Sequence, residues 1–243
     1  MTYCVGMVLN EGLVFASDSR TNAGVDHVST FCKMTVMESP GEGVIVMLNS
    51  GNLATTQQVV SRIKQHATDS GQPLTSHSSM FGVAELLGRE LRKTIATTRN
   101  ESPEQSDVDF SATFLVGGQL QGEAPRLFMV YPQGNFIEST ADTPFFQIGE
   151  SKYGKPILDR VIQPAISMSQ AIKCALVSFD STIKSNLSVG LPIDLAMVKS
   201  GDLRVTKRHR IDADDAYFRD LRSGWSQGLR QVFGQLPDPH WLA

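Results

Sequence analysis

The chain has 243 residues, 41% of them hydrophobic and 19% charged, with a formal net charge of -3. That length suits one sizeable core, so residues 1–243 are expected to form a single domain. The balance of charge gives no electrostatic case for a nucleic-acid or anionic-membrane partner, and no stretch approaches the roughly 20 apolar residues that span a bilayer.

Taken in chain order, the opening predicts a β-hairpin. Tyr3 to Leu9 and Leu13 to Ser17 are rich in β-formers and are joined by the turn Asn10-Glu11-Gly12. A loop through Asn22-Ala23-Gly24 leads to strands at Lys33 to Met37 and Val44 to Leu48. Two helices follow. One spans Leu53 to Ala67 and stops before Asp69-Ser70-Gly71. The other starts near Ser78-Ser79 and carries Met80, Val83, Ala84, Leu87, Leu91 and Ile95 on one face. After a polar loop from Asn100 to Asp107, strands are expected at Phe110 to Val116, Arg126 to Tyr131 and Phe145 to Ile148. Helices at Lys155 to Ile162 and Ser169 to Ser185 precede strands at Ile193 to Lys199 and Leu203 to Lys207. A last helix aligns Phe218, Leu221, Trp225, Leu229 and Val232. Runs of strands alternating with paired helices suit an α+β fold, two antiparallel sheets packed face to face under outer helices.

Cys4, Cys32 and Cys174 are too few, and too apolar in setting, for a disulfide framework, and they read as buried inert thiols. No signal-peptide pattern opens the sequence, so a cytoplasmic location is expected. The basic run Lys207-Arg208-His209-Arg210 reads as a solvated strand end. Signatures such as GxSxG, HExxH and the phosphate-binding loops are absent, and the five histidines have no metal-ligand spacing. What remains is the chain end. A threonine hydroxyl needs a base, and its own α-amine, with a pKa of roughly 7.7–8.0, can be that base once Met1 is removed from Thr2.

Three stretches at the start, Thr2-Tyr3-Cys4-Val5-Gly6, Gly12 to Arg20 (GLVFASDSR) and Ser50-Gly51, resemble a proteasome β-subunit, and the bacterial homologues of that family in particular. Phe179-Asp180-Ser181-Thr182 and Ser185 to Pro192 (SNLSVGLP) extend the resemblance over essentially the whole chain. The resemblance implies a four-layer αββα sandwich of the N-terminal-nucleophile hydrolase type and a threonine-type endopeptidase. Thr2 would be nucleophile and base, Asp18 and Lys33 its electrostatic support, and Gly51 the oxyanion donor. Asp18 follows Thr2 at the family spacing, whereas Lys33 stands one residue closer than in ring subunits. The family also places two serines and an aspartate around the threonine amine. Here Ser188 and Ser151 match the serines and Ser185 occupies the aspartate position, with Asp180 a nearby carboxylate.

The same resemblance implies a homo-oligomer, a ring or an open lock-washer, acting on peptides or unfolded proteins without metal or organic cofactor. Thr21, Phe31 and Asn49 would build the specificity pocket, and the tail from Pro237 to Leu242 either docks on a neighbour or packs on its own domain. Two other functions fit the residues. One is a non-catalytic assembly or peptide-binding subunit, suggested by the missing aspartate. The other is an N-terminal-nucleophile hydrolase of non-peptide amides.

Overall fold

The computed structural model describes residues 2–22, 28–101 and 108–242. Ala23 and Gly24 of the expected first loop, and all but the start of the polar loop before Asp107, lie outside the described residues, as does Met1.

The chain opens with the expected hairpin, β1 (Tyr3–Leu9) and β2 (Gly12–Asp18). A small ribbon of β3 (Arg20–Asn22) and β4 (Val28–Thr30) precedes β5 (Met34–Ser39) and β6 (Gly43–Gly51). Helices α1 (Leu53–Ser70) and α2 (Met80–Glu101) lead to β7 (Ala112–Leu120), β8 (Arg126–Val130), β9 (Phe136–Glu138) and β10 (Phe145–Gly149). The remainder is α3 (Lys155–Val161), α4 (Met168–Ser185), β11 (Ile193–Lys199), β12 (Lys207–Ile211) and α5 (Ala216–Gln235).

One antiparallel sheet has the order β10-β1-β2-β11-β12, the other β5-β6-β7-β8-β9. Side-chain alternation along each strand decides which layer a residue joins. Odd residues of β1 (Tyr3, Val5, Met7, Leu9) pack with Leu158, Ala175, Leu176 and Phe179 of α3 and α4. Cys4, on the other face of β1, joins Phe15, Leu48 and Leu115 between the two sheets. Ile45, Met47 and Phe114 face α1 and α2 through Val59, Ile63, Val83 and Leu87. The layers are therefore helix, sheet, sheet, helix, as expected for the αββα sandwich. Even numbering places Thr2 on the inter-sheet side with Cys4.

Several boundaries differ from the sequence expectation. Helix α1 runs past Asp69 to Ser70, because Gly71 in the left-handed region ends it by donating its N–H to Thr68. Strand β7 continues through Gly117 and Gly118, which pair with Val46 and Ile45. The last strand is β12, built from the basic cluster itself, whereas Leu203 takes a positive φ of 51° in the preceding turn. β12 is a sheet edge, and an edge tolerates exposed charge. Arg210 is held there by both carboxylate oxygens of Asp194, at 2.7 and 2.8 Å. Only the start of α5 reaches the core. Phe218 is buried and Leu221 packs beside it, but Leu229 and Val232 are exposed. Cys32 is exposed rather than buried, and all three cysteines are free.

Candidate active site

Thr2 immediately precedes β1 and is buried to 7% exposure. Its carbonyl accepts the Glu150 N–H at 2.7 Å, while the next N–H, that of Tyr3, donates to Asp18 Oδ1 at 3.0 Å. The start of β1 is thereby fixed from both sides. Tyr3 adds a further anchor on the helix side, since its hydroxyl shares a hydrogen bond with Ser178 Oγ at 2.5 Å and accepts one from Gln147 Nε2 at 2.6 Å.

Asp18 and Lys33 form an ion pair of 2.7 Å, at 0% and 4% exposure. Desolvation of two charges is costly unless the geometry is good and the spare donors and acceptors are used. Here they are used. Lys33 Nζ also donates to the Arg20 carbonyl at 2.6 Å, and Asp18 accepts N–H groups from Tyr3 through Oδ1 and from Gly190 through Oδ2 at 3.4 Å. Burial pushes the Asp18 carboxyl above the ordinary carboxylate range, opposed by the Lys33 ammonium and by those two N–H groups. Lys33 lies just before β5, where its carbonyl accepts both the main-chain N–H and the side-chain amide of Asn49 at 3.1 Å. Asn49 thus holds the lysine from the neighbouring strand.

Thr2, Lys33 and Gly51 line one cleft of about 570 Å³, together with Thr21, Asn49, Ser50 and Gly149. Gly51 has φ 109°, and a Cβ there would sit 2.4 Å from the Ser111 carbonyl. Only glycine fits that backbone. Gly149 is more tightly constrained, since its Cβ would lie 1.9 Å from the Thr2 carbonyl at φ 81°. The Thr21 hydroxyl is buried without a hydrogen-bond partner among the described residues.

The structure thus brings together four of the residues singled out from the sequence: Thr2, Lys33 and Gly51 on the cleft, and Asp18 behind Lys33. The three supporting serines are not among the residues that line the cleft. Ser185 is exposed at the end of α4, Ser188 donates its N–H to Asn186 Oδ1 in a turn at 2.9 Å, and Ser151 offers its carbonyl to Lys155 at the start of α3. The Asp180 carboxylate is held by Arg222 of α5 at 2.6 Å. Thr21 and Asn49 line the cleft as expected, whereas Phe31 does not. Among the described residues no cluster of His, Cys, Asp and Glu could hold a metal ion, and no helix is long and apolar enough to cross a membrane.

Sequence reasoning missed the Arg20 carbonyl, Asn49 as the clamp on Lys33, and Gly149 with Glu150 against Thr2. The first acts through its backbone and leaves no mark in residue type. Glu150 had a signal, because it is the neighbour of Ser151, which the resemblance singled out.

The family model described as Proteasome subunit matches residues 2–198, and the chain belongs to that family. Its fold is the one the sequence resemblance implied. Within the family its likeness extends to Anbu. The structure of Anbu (ancestral beta-subunit) from Yersinia bercovieri is 50% identical, with a TM-score of 0.91 and 98% of each chain covered. The Anbu complex of Pseudomonas aeruginosa, solved as a helical assembly, is 48% identical, with a TM-score of 0.93 and the same coverage. Proteasome subunit beta 2 of Pyrobaculum calidifontis is 24% identical over 201 residues, which cover 82% of this chain and 90% of that one.

Proposed function

We propose that the chain is a threonine-type endopeptidase that works as a homo-oligomer. The buried Lys33–Asp18 pair, set on the same cleft as Thr2, carries this reading. Removal of Met1 frees the Thr2 amine, which takes the proton of its own hydroxyl as Oγ attacks a peptide carbonyl. The Lys33 ammonium lowers the pKa of that hydroxyl, and Asp18 holds the ammonium in place. The Gly51 N–H meets the developing oxyanion, a donor whose loss typically costs about 3 kcal/mol of barrier. The amine then returns the proton to the leaving nitrogen, and water resolves the acyl ester. The unpartnered Thr21 hydroxyl, inside the cleft, suits a polar group of the substrate main chain.

Assembly is supported by the helical arrangement of the Pseudomonas relative and by the apolar surface of this chain's end. Leu229, Val232, Phe233, Leu236 and Trp241 are all exposed, and apolar patches of that kind mark contact surfaces.

The test compares the chain carrying Thr2 at its amino end with its Thr2→Ala variant on fluorogenic peptides and a denatured protein. Hydrolysis is expected to fall at least ~1,000-fold on losing the nucleophile. Equal hydrolysis by both would overturn the proposal. Turnover confined to non-peptide amides would move the chain to the other class of N-terminal-nucleophile hydrolase.

A further inference from the structure

The resemblance leaves no carboxylate beside the Thr2 amine, because the aspartate position is Ser185. The residue hydrogen-bonded to Thr2 through its backbone N–H, Glu150, carries a carboxylate. In an antiparallel strand successive N–H groups point to opposite neighbours. Tyr3 donates toward β2, to Asp18, so the nitrogen of Thr2 points the other way, toward β10. The β1–β10 register pairs Tyr3 with Gly149, and one further step sets Thr2 opposite Glu150. The 2.7 Å hydrogen bond from the Glu150 N–H to the Thr2 carbonyl fixes that step.

The Glu150 side chain is only 9% exposed. Oε2 accepts the Asn186 side-chain amide at 2.8 Å, and Oε1 lies 3.5 Å from Lys152 Nζ. The first partner is neutral, and the second is a lysine whose side chain is 69% exposed, so its ion pair is weak. Asn186 belongs to the turn after α4, the same turn whose Gly190 N–H reaches Asp18. Glu150 therefore links the backbone of Thr2 to the turn that also reaches Asp18.

We infer that Glu150, held by Asn186, is the positioning residue that sets the basicity of the Thr2 amine, in place of the family's aspartate. The inference rests on the peptidase reading for its purpose. Lys33 and Asp18 stand on the β2 side, Glu150 and Lys152 on the β10 side, and Arg20 points away to the Leu187 carbonyl. Residues 185–190 of the turn contribute no ionisable side chain. Lys33 favours a neutral amine and Glu150 a protonated one. With both in place the amine keeps enough basicity to accept the Oγ proton.

The test measures the amine directly. The chain with Thr2 at its amino end is acetylated with acetic anhydride across a pH series, and the labelled first peptide is quantified by mass. Glu150→Gln is expected to lower the titration midpoint by about one unit, and Glu150→Asp to keep it near the wild-type value. Thermal unfolding of each variant checks that the fold is kept. An unchanged midpoint in folded Glu150→Gln overturns the inference, as does an equal shift in both variants, which would report a loosened site rather than a lost charge. Hydrolysis measured on the same samples separates the two proposals. A midpoint that follows Glu150 without Thr2-dependent hydrolysis supports the inference and sinks the peptidase reading. Thr2-dependent hydrolysis with an amine indifferent to Glu150 does the reverse.

Discussion

Lys33→Ala is expected to lower the rate of Thr2 acylation by ~1,000-fold or more and to destabilise the fold by about 3–5 kcal/mol. Both effects come from one ammonium. Its removal leaves Asp18, fully buried, with only the N–H groups of Tyr3 and Gly190. Burial already raises that carboxyl's pKa, so without the lysine it takes up a proton at a higher pH still. The Thr2 hydroxyl loses its nearby positive charge at the same time. The two losses are separable. The double variant Asp18→Asn with Lys33→Met removes both charges and keeps an acceptor for the Tyr3 N–H. It is expected to regain most of the stability in urea unfolding, because a buried pair contributes little net stability over a neutral replacement, yet to remain inactive. Acylation by the double variant within ten-fold of wild type would show that the pair is structural.

Gly149→Ala is expected to have the second largest effect, on a residue that takes part in no chemical step. The added methyl group would stand 1.9 Å from the Thr2 carbonyl oxygen and 2.7 Å from its carbon, both backbone atoms with no freedom to rotate aside. The positive φ of 81° adds a penalty on the order of 1–3 kcal/mol for any residue with a Cβ. Strand β1 must then move off β10, carrying Thr2 with it and breaking the hydrogen bond from Glu150. A displacement of about 1 Å at a nucleophile can cost on the order of 100-fold in rate. A lowered unfolding temperature together with an acylation rate reduced ~100-fold is the expected pattern. A variant with wild-type acylation would mean that the Thr2–Glu150 contact does not position the nucleophile.

Legibility in the sequence followed side-chain chemistry. The hairpin and β11 could be placed nearly to the residue, because a mostly apolar run of β-formers bounded by Gly or Pro has little other use. β12 could not, since Lys-Arg-His-Arg-Ile carries no alternation and an edge strand needs none. β9 and the β3–β4 ribbon are each only three residues per strand, too short for a period to show. In α5 the aligned apolar residues did form one face, but most of that face is exposed, so periodicity alone could not tell a core from a contact surface. At the site, Thr2 and Asp18 were singled out because their spacing fits a known pattern, and Lys33 because it stands one residue from it. The Arg20 carbonyl, the Gly190 N–H and the Glu150 N–H were not, because a backbone group is the same in every residue and only the folded chain aims it. The serines that the resemblance pointed to do not line the cleft, and the residue next to one of them, Glu150, hydrogen-bonds the Thr2 carbonyl through its N–H.

The central claim is that Thr2, once it is the first residue, is a nucleophile made reactive by Lys33 and Asp18. The direct measurement is the intact mass and peptide map of the chain, with Thr2 at its amino end, after exposure to a peptide epoxyketone. A single adduct is expected, mapped to Thr2 and absent from Lys33→Ala. An unmodified chain, or an adduct carried only by the exposed Cys32, would contradict it.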